Sequence, residues 1–384
     1  MKNLNKILQA YVEKGLLPNA VAGIASSEGT TYLESFGLKS LDANDPMAKD
    51  TIISIASMTK AITTVAALQL VEKNHIDLDT SINEYLPEVS DLEVLQGFDN
   101  GNRPLLRKAE DIPTVRQLLT HTSGYVYEIW NENASRNVTN GGIDSLFADG
   151  GNGMSAPLSF SPGERWEYGI GIDWAGKIIE EISGKSLDVY FYDHIFSQIG
   201  MVDTFYEVPE EKLSRRAAIH ARGENGLTVI PHLAEPVSGG GGLNSTVTDY
   251  LLFLRAILNQ GSLNGASILQ PKTVDMMFEN QIGKLNVPPG KTRMPDISND
   301  FDMGFGSGAK WGLGFLLHQN DLNAGRPKGS ASWAGVFNSY YWIDRGNDFC
   351  AVIATQVLPF YDSNAISMLK DFESGIYKSL LYPQ

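Results

Sequence analysis

The segment Ile53-Ser-Ile-Ala-Ser57-Met-Thr-Lys60-Ala-Ile62 places a serine three residues before a lysine at the start of an apolar run. Apolar side chains then recur mostly at steps of three and four, which predicts one largely buried helix over residues 57–73. On such a helix, Ser57 and Lys60 lie on the same face, one turn apart. The hydroxyl would lie at the helix N-terminus, where unpaired N–H groups and the helix dipole favour negative charge. Because serine needs an adjacent base to become a good nucleophile, the pair is a candidate catalytic site.

A serine and a lysine at this spacing occur by chance in most proteins, so the S-x-x-K tetrad gains meaning only from its context. The segment Pro162–Asp173 supplies Tyr168, which stands beside a glycine and after a Pro-Gly turn. This composition predicts a tight, exposed loop just before a helix. A phenol near Ser57 and Lys60 could exchange a proton with the serine and with a leaving group. Taken alone, Tyr168 is better explained as a packing aromatic.

A third segment, Gly329–Phe337, is rich in small residues at the edge of a predicted strand, which leaves backbone N–H groups accessible. The N–H groups of Ser57 and Val336 could together form an oxyanion hole, in which each donor contributes roughly 3–4 kcal/mol to transition-state stabilisation. Trp333 would present an apolar face to the same cleft, although on its own it is better explained as a core aromatic.

The order and spacing of these segments resemble the serine β-lactamase-like superfamily, which includes class C β-lactamases, D-alanyl-D-alanine carboxypeptidases and family VIII carboxylesterases. The resemblance runs along almost the whole chain, and Leu118-Leu-Thr-His-Thr-Ser-Gly124 is among the family's most distinctive strings. It implies that Ser57 accepts the acyl group and that Lys60 and Tyr168 act as general base and acid, and it leaves open which of the two is the resting base. It also implies that the N–H groups of Ser57 and Val336 form the oxyanion hole.

Departures from the lactamase pattern indicate the substrate. Ile170 stands where lactamases use an asparagine to bind the lactam side-chain amide, and Trp333 replaces the lysine of their K-T-G motif. Since Trp333 carries no charge, an anionic lactam loses its anchor, and W-x-G is similar to the family VIII carboxylesterases. Tyr125 and Tyr127 follow the distinctive string and either line the acyl pocket or are surface aromatics. The residues predicted to bind substrate are Trp333, Ala334, Gly335, Tyr125 and Ile170.

The resemblance also implies an α+β fold of the β-lactamase-like type, with an antiparallel sheet flanked by terminal helices and an inserted, mainly helical domain. The alternation of strands and helices divides the chain into an α/β domain of residues 1–87 and 306–384 and an insertion of residues 88–305. Apolar runs at Trp311–Leu317, Val336–Ile343 and Phe349–Thr355 predict three successive strands. The long stretches 129–160 and 280–305 are predicted to be lids or surface insertions.

Composition excludes several classes of partner. The net charge of −15 disfavours nucleic acid and anionic membranes as partners. The expected partner is a small-molecule ester, as the resemblance implies. The amphipathic N-terminus and the absence of a run of about 18 apolar residues predict a cytoplasmic protein without a membrane span.

A single cysteine, Cys350, in an apolar run predicts an inert core thiol. The six histidines lack metal-ligand spacing, so neither a metal nor a cofactor is expected, and the oligomeric state stays open.

The predicted function is hydrolysis of short-chain carboxylic esters through an acyl-enzyme on Ser57. An amide-cleaving relative is one alternative, either a weak β-lactamase, a D-aminopeptidase-like enzyme or a nylon-oligomer hydrolase. An acyltransferase, in which an alcohol replaces water, is another. A non-catalytic binding or sensor protein is a third alternative, but it predicts loss of Ser57, Lys60 or Tyr168, and all three are present. No G-x-S-x-G sequence occurs, so the α/β-hydrolase elbow has no support.

Overall fold

A computed structural model describes residues 2–145, 153–232 and 237–381 of the chain. In these residues the α-helices are α1 (Lys2–Glu13), α2 (Thr59–Glu72), α3 (Val115–Leu119), α4 (Glu132–Thr139), α5 (Gly171–Ser183), α6 (Leu187–Phe191), α7 (Ser197–Ile199), α8 (Val247–Leu258), α9 (Pro271–Met277) and α10 (Ser363–Leu381). The strands are β1 (Asn19–Ala25), β2 (Thr30–Ser40), β3 (Ala43–Pro46), β4 (Ile53–Ser54), β5 (Glu93–Phe98), β6 (Pro104–Lys108), β7 (Ile219–Gly223), β8 (Gly226–Ile230), β9 (Asn244–Ser245), β10 (Ser262–Leu263), β11 (Ala266–Ser267), β12 (Ala309–Trp311), β13 (Leu316–His318), β14 (Ala331–Gly335), β15 (Ser339–Asp344), β16 (Phe349–Ala354) and β17 (Val357–Leu358).

The main sheet joins the two ends of the chain. Its eight strands are antiparallel and follow the order β12-β13-β14-β15-β16-β1-β2-β3. The terminal helices lie together, and Tyr11 of α1 donates a hydrogen bond to Asp371 of α10 at 2.7 Å. The predicted α+β class, with an antiparallel sheet flanked by terminal helices, is therefore confirmed.

Alternate side chains of β15 face two different helical layers. The Trp342 ring lies 6.4 Å from Phe372 of α10, whereas the Tyr341 ring lies 5.3 Å from Tyr250 of α8. Because successive strand residues point to opposite faces, α10 covers one face of the sheet and α8 covers the other. Trp333 of β14 is the cross-strand neighbour of Tyr341 and therefore lies on the α8 side.

Two strand predictions need correction. The run Trp311–Leu317 is not one strand, because Gly314 has a positive φ of 81° and the chain turns between β12 and β13. The run Val336–Ile343 begins in a turn rather than in a strand, because Asn338 has a φ of 62° and β15 starts at Ser339. In both cases a left-handed residue interrupts an apolar run whose composition alone predicts an extended chain.

The segment 88–305 contains more β-structure than predicted. Among the described residues, its helices are accompanied by three antiparallel hairpins, β5–β6, β7–β8 and β10–β11. Helix α8 falls inside this segment, yet Leu251 of α8 packs so closely on β1 that a side chain at Gly23 would lie 2.6 Å from it. The division of the chain into two domains at residues 87 and 305 stays a prediction, and α8 lies with the sheet.

Helix α2 forms the centre of the molecule. It starts as a 3₁₀ turn, Ala56–Met58, and continues as α2, whose residues 59–70 are all buried. It contacts α5 and α6 on one side, and Thr64 approaches Gly314 of the sheet region on another. The predicted buried helix over residues 57–73 is thus confirmed to within about one residue. Among the helices of the described residues, none is both long enough and apolar enough to cross a membrane.

A buried ion pair provides a test of the fold. Arg326 and Glu373 of α10 are each 2 % exposed and lie 2.8 Å apart. We expect Glu373→Ala to lower the free energy of unfolding by about 3–5 kcal/mol, because it leaves a buried guanidinium unpaired. Urea unfolding measures this loss, and Asp91→Ala serves as the control, since its ion pair with Lys108 is fully on the surface. Equal losses in the two variants would contradict the packing of α10 described here.

Candidate active site

Ser57 lies on a strained turn. The preceding residue, Ala56, has a φ of 44°, a conformation that non-glycine residues rarely adopt. The turn is held in place because Ile55 N–H donates to the Leu243 carbonyl at 2.9 Å and the Tyr250 hydroxyl donates to the Met58 carbonyl at 2.9 Å. In the fully described range 51–70 every residue is buried except Ser57, which is partly exposed. The fold therefore presents this one side chain to the cleft.

Lys60 is 1 % exposed and has three hydrogen-bond partners. Its Nζ lies 2.6 Å from the Gly240 carbonyl, 2.8 Å from the Tyr127 hydroxyl and 3.4 Å from Ser57 Oγ. Burial of an amine is costly unless its hydrogens are bonded, and these contacts satisfy it. The predicted pairing of Ser57 with Lys60 on one helical face therefore exists in the structure.

Tyr168 lies next to this pair but is not on an exposed loop. Tyr168 is 5 % exposed, so the prediction of an exposed position is wrong, because the rings of Trp333, Trp130 and Trp166 surround it. Lys60 Nζ lies 5.0 Å from the centre of its ring, and Trp333 Nε1 donates to its hydroxyl at 3.2 Å. Since an indole N–H only donates, the Tyr168 oxygen accepts this bond and its own proton stays available for the cleft.

The end of β14 lies directly on the Ser57 turn. A Cβ at Gly335 would clash with the Ile55 carbonyl, so only glycine allows this approach. Ala334 and Gly335 are buried here, and Val336 follows at the end of the strand. Among the described residues, the N–H groups of Ser57 and Val336 donate no backbone hydrogen bond. Their assignment as the oxyanion hole stays a prediction.

His121 supports the tyrosine loop. It has a φ of 56°, and its Nδ1 accepts a hydrogen bond from Gly169 N–H at 3.4 Å. Its ring lies 4.7 Å from Tyr168 and 4.8 Å from Trp311. Burial, together with the nearby Lys60 charge, lowers the pKa of His121 well below its usual value, so the ring is neutral. A neutral, buried imidazole holding Gly169 fits a structural turn.

Two predicted substrate-binding residues lie in the core. Tyr125 is 1 % exposed and stacks on Trp174 at 5.5 Å. Ile170 is also buried and precedes α5. Direct contact of either side chain with substrate stays a prediction. Trp333 is likewise buried and reaches the site through its bond to Tyr168.

Tyr127, rather than Tyr125, reaches Lys60. No signal in the sequence separates the two tyrosines, because they stand only two positions apart; in the structure Tyr125 is buried and Tyr127 is partly exposed. Tyr127 also donates to Asp173 Oδ2 at 3.5 Å. Sequence reasoning did not assign Asp173 or the Gly240 carbonyl, since neither contact follows from local spacing.

The two predicted lids touch each other beside the site. Arg293 N–H donates to the Ile129 carbonyl at 2.7 Å, and Trp130 Nε1 donates to Ser298 Oγ at 3.0 Å. The partly exposed Trp130 ring lies 5.4 Å from Tyr168. Residues 146–152 of the first stretch lie outside the described residues. Trp130 therefore forms part of the wall next to the catalytic groups, whereas the lid function stays a prediction.

Comparison with known proteins agrees with this geometry. A profile of the family described as Beta-lactamase matches residues 4–367. This chain belongs to the beta-lactamase family. The resemblance inferred from the motifs is thereby confirmed, and in this structure Ser57, Lys60 and Tyr168 lie close together.

Three proteins illustrate what this chain is similar to over nearly its whole length. Monacolin J acid methylbutanoyltransferase of Aspergillus terreus (strain NIH 2624 / FGSC A1156) is 30 % identical over 95 % of this chain and 93 % of its own length. Lovastatin esterase of Penicillium rubens is 29 % identical over 98 % of both chains. The unliganded structure of simvastatin synthase from Aspergillus terreus superimposes with a TM-score of 0.86 at 28 % identity, over 99 % of this chain and 98 % of that one.

The close approach at Gly335 can be tested directly. We expect Gly335→Ala to lower kcat by about 10²- to 10³-fold, because the added methyl pushes the Val336 N–H away from the Ser57 turn. The matched control is Gly29→Ala, since a Cβ at Gly29 meets nothing within 4 Å. Steady-state turnover of p-nitrophenyl butyrate gives kcat for both. A Gly335→Ala enzyme with full activity would refute the role of this approach in catalysis.

Proposed function

We propose that this chain hydrolyses short-chain carboxylic esters of small neutral molecules. The acyl group is first transferred to Ser57, which gives an acyl-enzyme, and then to water. The observation that carries this proposal is the 3.4 Å contact between Lys60 Nζ and Ser57 Oγ, next to a tyrosine held by Trp333. A nucleophile within reach of its base, with the base itself held by further groups, is the arrangement that covalent catalysis requires.

In the acylation step, the Ser57 proton moves to Lys60 while Oγ forms a bond to the ester carbonyl carbon. The carbonyl oxygen becomes an oxyanion, which the N–H groups of Ser57 and Val336 are proposed to bind. The tetrahedral intermediate then collapses, the carbon–oxygen bond to the alcohol breaks, and Tyr168 gives its proton to the leaving oxygen. Lys60 then passes the proton that it took from Ser57 to the phenolate, which restores both groups.

In the deacylation step, the same groups act in reverse. Tyr168 and Lys60 take the proton of an attacking water, whose oxygen bonds to the acyl carbon, and Ser57 leaves with a proton from Lys60. The carboxylic acid departs and the site returns to its starting state.

The surroundings of Tyr168 favour a neutral substrate. Trp333 occupies the position where a lysine would pair with a substrate carboxylate, and its polar N–H is already bonded to Tyr168. The partly exposed ring of Trp130, 5.4 Å from Tyr168, adds apolar surface. A neutral ester is the ligand such a wall accepts most readily, since a buried unpaired carboxylate is costly.

An acyltransferase is the second candidate, because one relative similar over nearly the whole chain is a methylbutanoyltransferase. Transfer and hydrolysis share the acyl-enzyme and differ only in whether an alcohol or water attacks it. The esterase relative, at nearly the same identity, supports hydrolysis as well, although acyltransferases outnumber esterases among the similar proteins. The alternatives of amide cleavage and of a non-catalytic binding protein have no comparable support from the relatives described above.

The first test is covalent labelling. We expect intact-mass measurement after mixing with p-nitrophenyl butyrate to detect a butyryl adduct on Ser57. We expect Ser57→Ala to abolish the adduct and to lower the turnover rate by at least about 10³-fold. Ser90→Ala is the control, since Ser90 is an exposed residue outside the site. Unchanged hydrolysis in Ser57→Ala would exclude the proposed mechanism.

The second test distinguishes water from an alcohol as the acceptor of the acyl group. With p-nitrophenyl butyrate as donor and a series of 1-butanol concentrations, a hydrolase releases mainly butyrate, whereas a transferase releases mainly butyl butyrate. We expect butyrate to dominate at low alcohol, and gas chromatography measures the ratio. Faster turnover of a chromogenic cephalosporin than of the ester would contradict the preference for neutral esters.

A further inference from the structure

Three partners surround the Lys60 amine, and their hydrogen-bonding capacities differ. The Gly240 carbonyl, 2.6 Å away, can only accept. The Tyr127 hydroxyl, 2.8 Å away, can donate or accept, and so can Ser57 Oγ at 3.4 Å. To take the serine proton, the amine must be neutral, with two N–H bonds and one lone pair. Catalysis therefore requires both N–H bonds to point at Gly240 and Tyr127, and the lone pair at Ser57.

The direction of the Tyr127 proton decides between a productive and an unproductive arrangement. If this proton points at Lys60, it occupies the lone pair that Ser57 needs. If it points elsewhere, the Tyr127 oxygen accepts an N–H from Lys60 and the lone pair is left for the serine. Asp173 Oδ2 lies 3.5 Å from the Tyr127 oxygen, and a carboxylate can only accept. Its negative charge orients the Tyr127 proton away from the lysine.

Asp173 is itself held in a fixed orientation. Its Oδ1 accepts a hydrogen bond from Gly240 N–H at 3.1 Å and a further one from the Ser238 hydroxyl. Oδ2 is thereby left facing Tyr127. Gly240 thus binds Asp173 through its N–H and Lys60 through its carbonyl, and a side chain at this residue would clash with the Asp173 carboxylate.

We infer that Asp173 and Tyr127 are positioning residues that orient the neutral Lys60 amine, so that its lone pair faces Ser57. The four groups form a chain from carboxylate to phenol to amine to serine. The logic is that of a carboxylate that selects the reactive form of a catalytic base without itself taking the proton. This inference rests on the proposed function, because it concerns how Lys60 activates Ser57. Tyr168 remains the separate acid for the leaving group.

A phosphonate probe tests the inference apart from the natural substrate. A p-nitrophenyl alkylphosphonate ester forms a bond between phosphorus and Ser57 Oγ, while the serine proton moves to Lys60. The p-nitrophenolate leaves as an anion and needs no acid, so its absorbance reports the step that Lys60 controls. Intact mass confirms the label on Ser57.

Two variants remove one link each while preserving shape. Tyr127→Phe loses the hydroxyl but keeps the ring that packs on Trp130. In Asp173→Asn, the Gly240 N–H holds the amide oxygen, so the amide N–H₂ faces Tyr127 and turns its proton toward Lys60. We expect each variant to slow labelling of Ser57 by about 10- to 100-fold, with little change in the probe concentration at half-saturation.

The double variant distinguishes positioning from general damage. If Asp173 acts only through Tyr127, Asp173→Asn adds no more than about a twofold loss in the Tyr127→Phe background. Losses that multiply would overturn the inference, and so would a Tyr127→Phe protein labelled at the wild-type rate. Tyr190→Phe is the control: it removes a buried phenol hydroxyl of α6 that has no hydrogen-bond partner among the described residues. We expect it to be labelled at the wild-type rate.

The outcomes also separate this inference from the proposed function. A wild-type protein that the probe does not label on Ser57 overturns the proposed function, and the inference with it. A labelled wild type with unaffected variants overturns the inference alone. Thermal unfolding of each variant verifies folding, and either single variant that stays folded is enough for the rate comparison.

Discussion

The buried amine of Lys60 is the constraint on which the site depends. An amine enclosed by protein must have its hydrogens bonded, and the partners come from three separate parts of the chain: the Ser57 turn, the loop at Tyr127 and the glycine turn at Gly240. None of these parts can move alone without leaving a buried polar group unpaired. The hydrogen bonds that satisfy Lys60 therefore also bring the catalytic groups together.

The same constraint explains why small residues cluster around the site. Glycine at 335 lets a sheet strand approach the Ile55 carbonyl, and glycine at 240 lets a turn approach Asp173. Close packing leaves no room for a side chain at either position. The strain at Ala56 is sustained by the same surroundings, since a rare backbone conformation persists only where neighbouring contacts require it. Close packing around the site thus accounts both for the approach of these segments and for the strained turn that exposes Ser57.

Agreement between sequence and structure was best where the signal is local. The buried helix of Lys60 followed from apolar periodicity, and the Ser57–Lys60 pair followed from the pitch of that helix. Prediction was wrong where a left-handed residue, such as Gly314 or Asn338, breaks an apolar run, because composition does not report the φ of one residue. It was also wrong for the exposure of Tyr168, since the aromatic rings that bury it come from distant segments.

The sequence by itself determined the family, the antiparallel sheet with its terminal helices, and the identity of the serine–lysine pair, because motif order and periodicity are properties of the chain. Only the tertiary structure decided that Tyr127 rather than Tyr125 reaches Lys60, that Trp333 binds the Tyr168 hydroxyl, and that Asp173 stands behind both Tyr127 and Gly240. These contacts join residues 46 to 165 positions apart. Such pairings depend on how helices and strands pack in space, and no spacing along the chain encodes them.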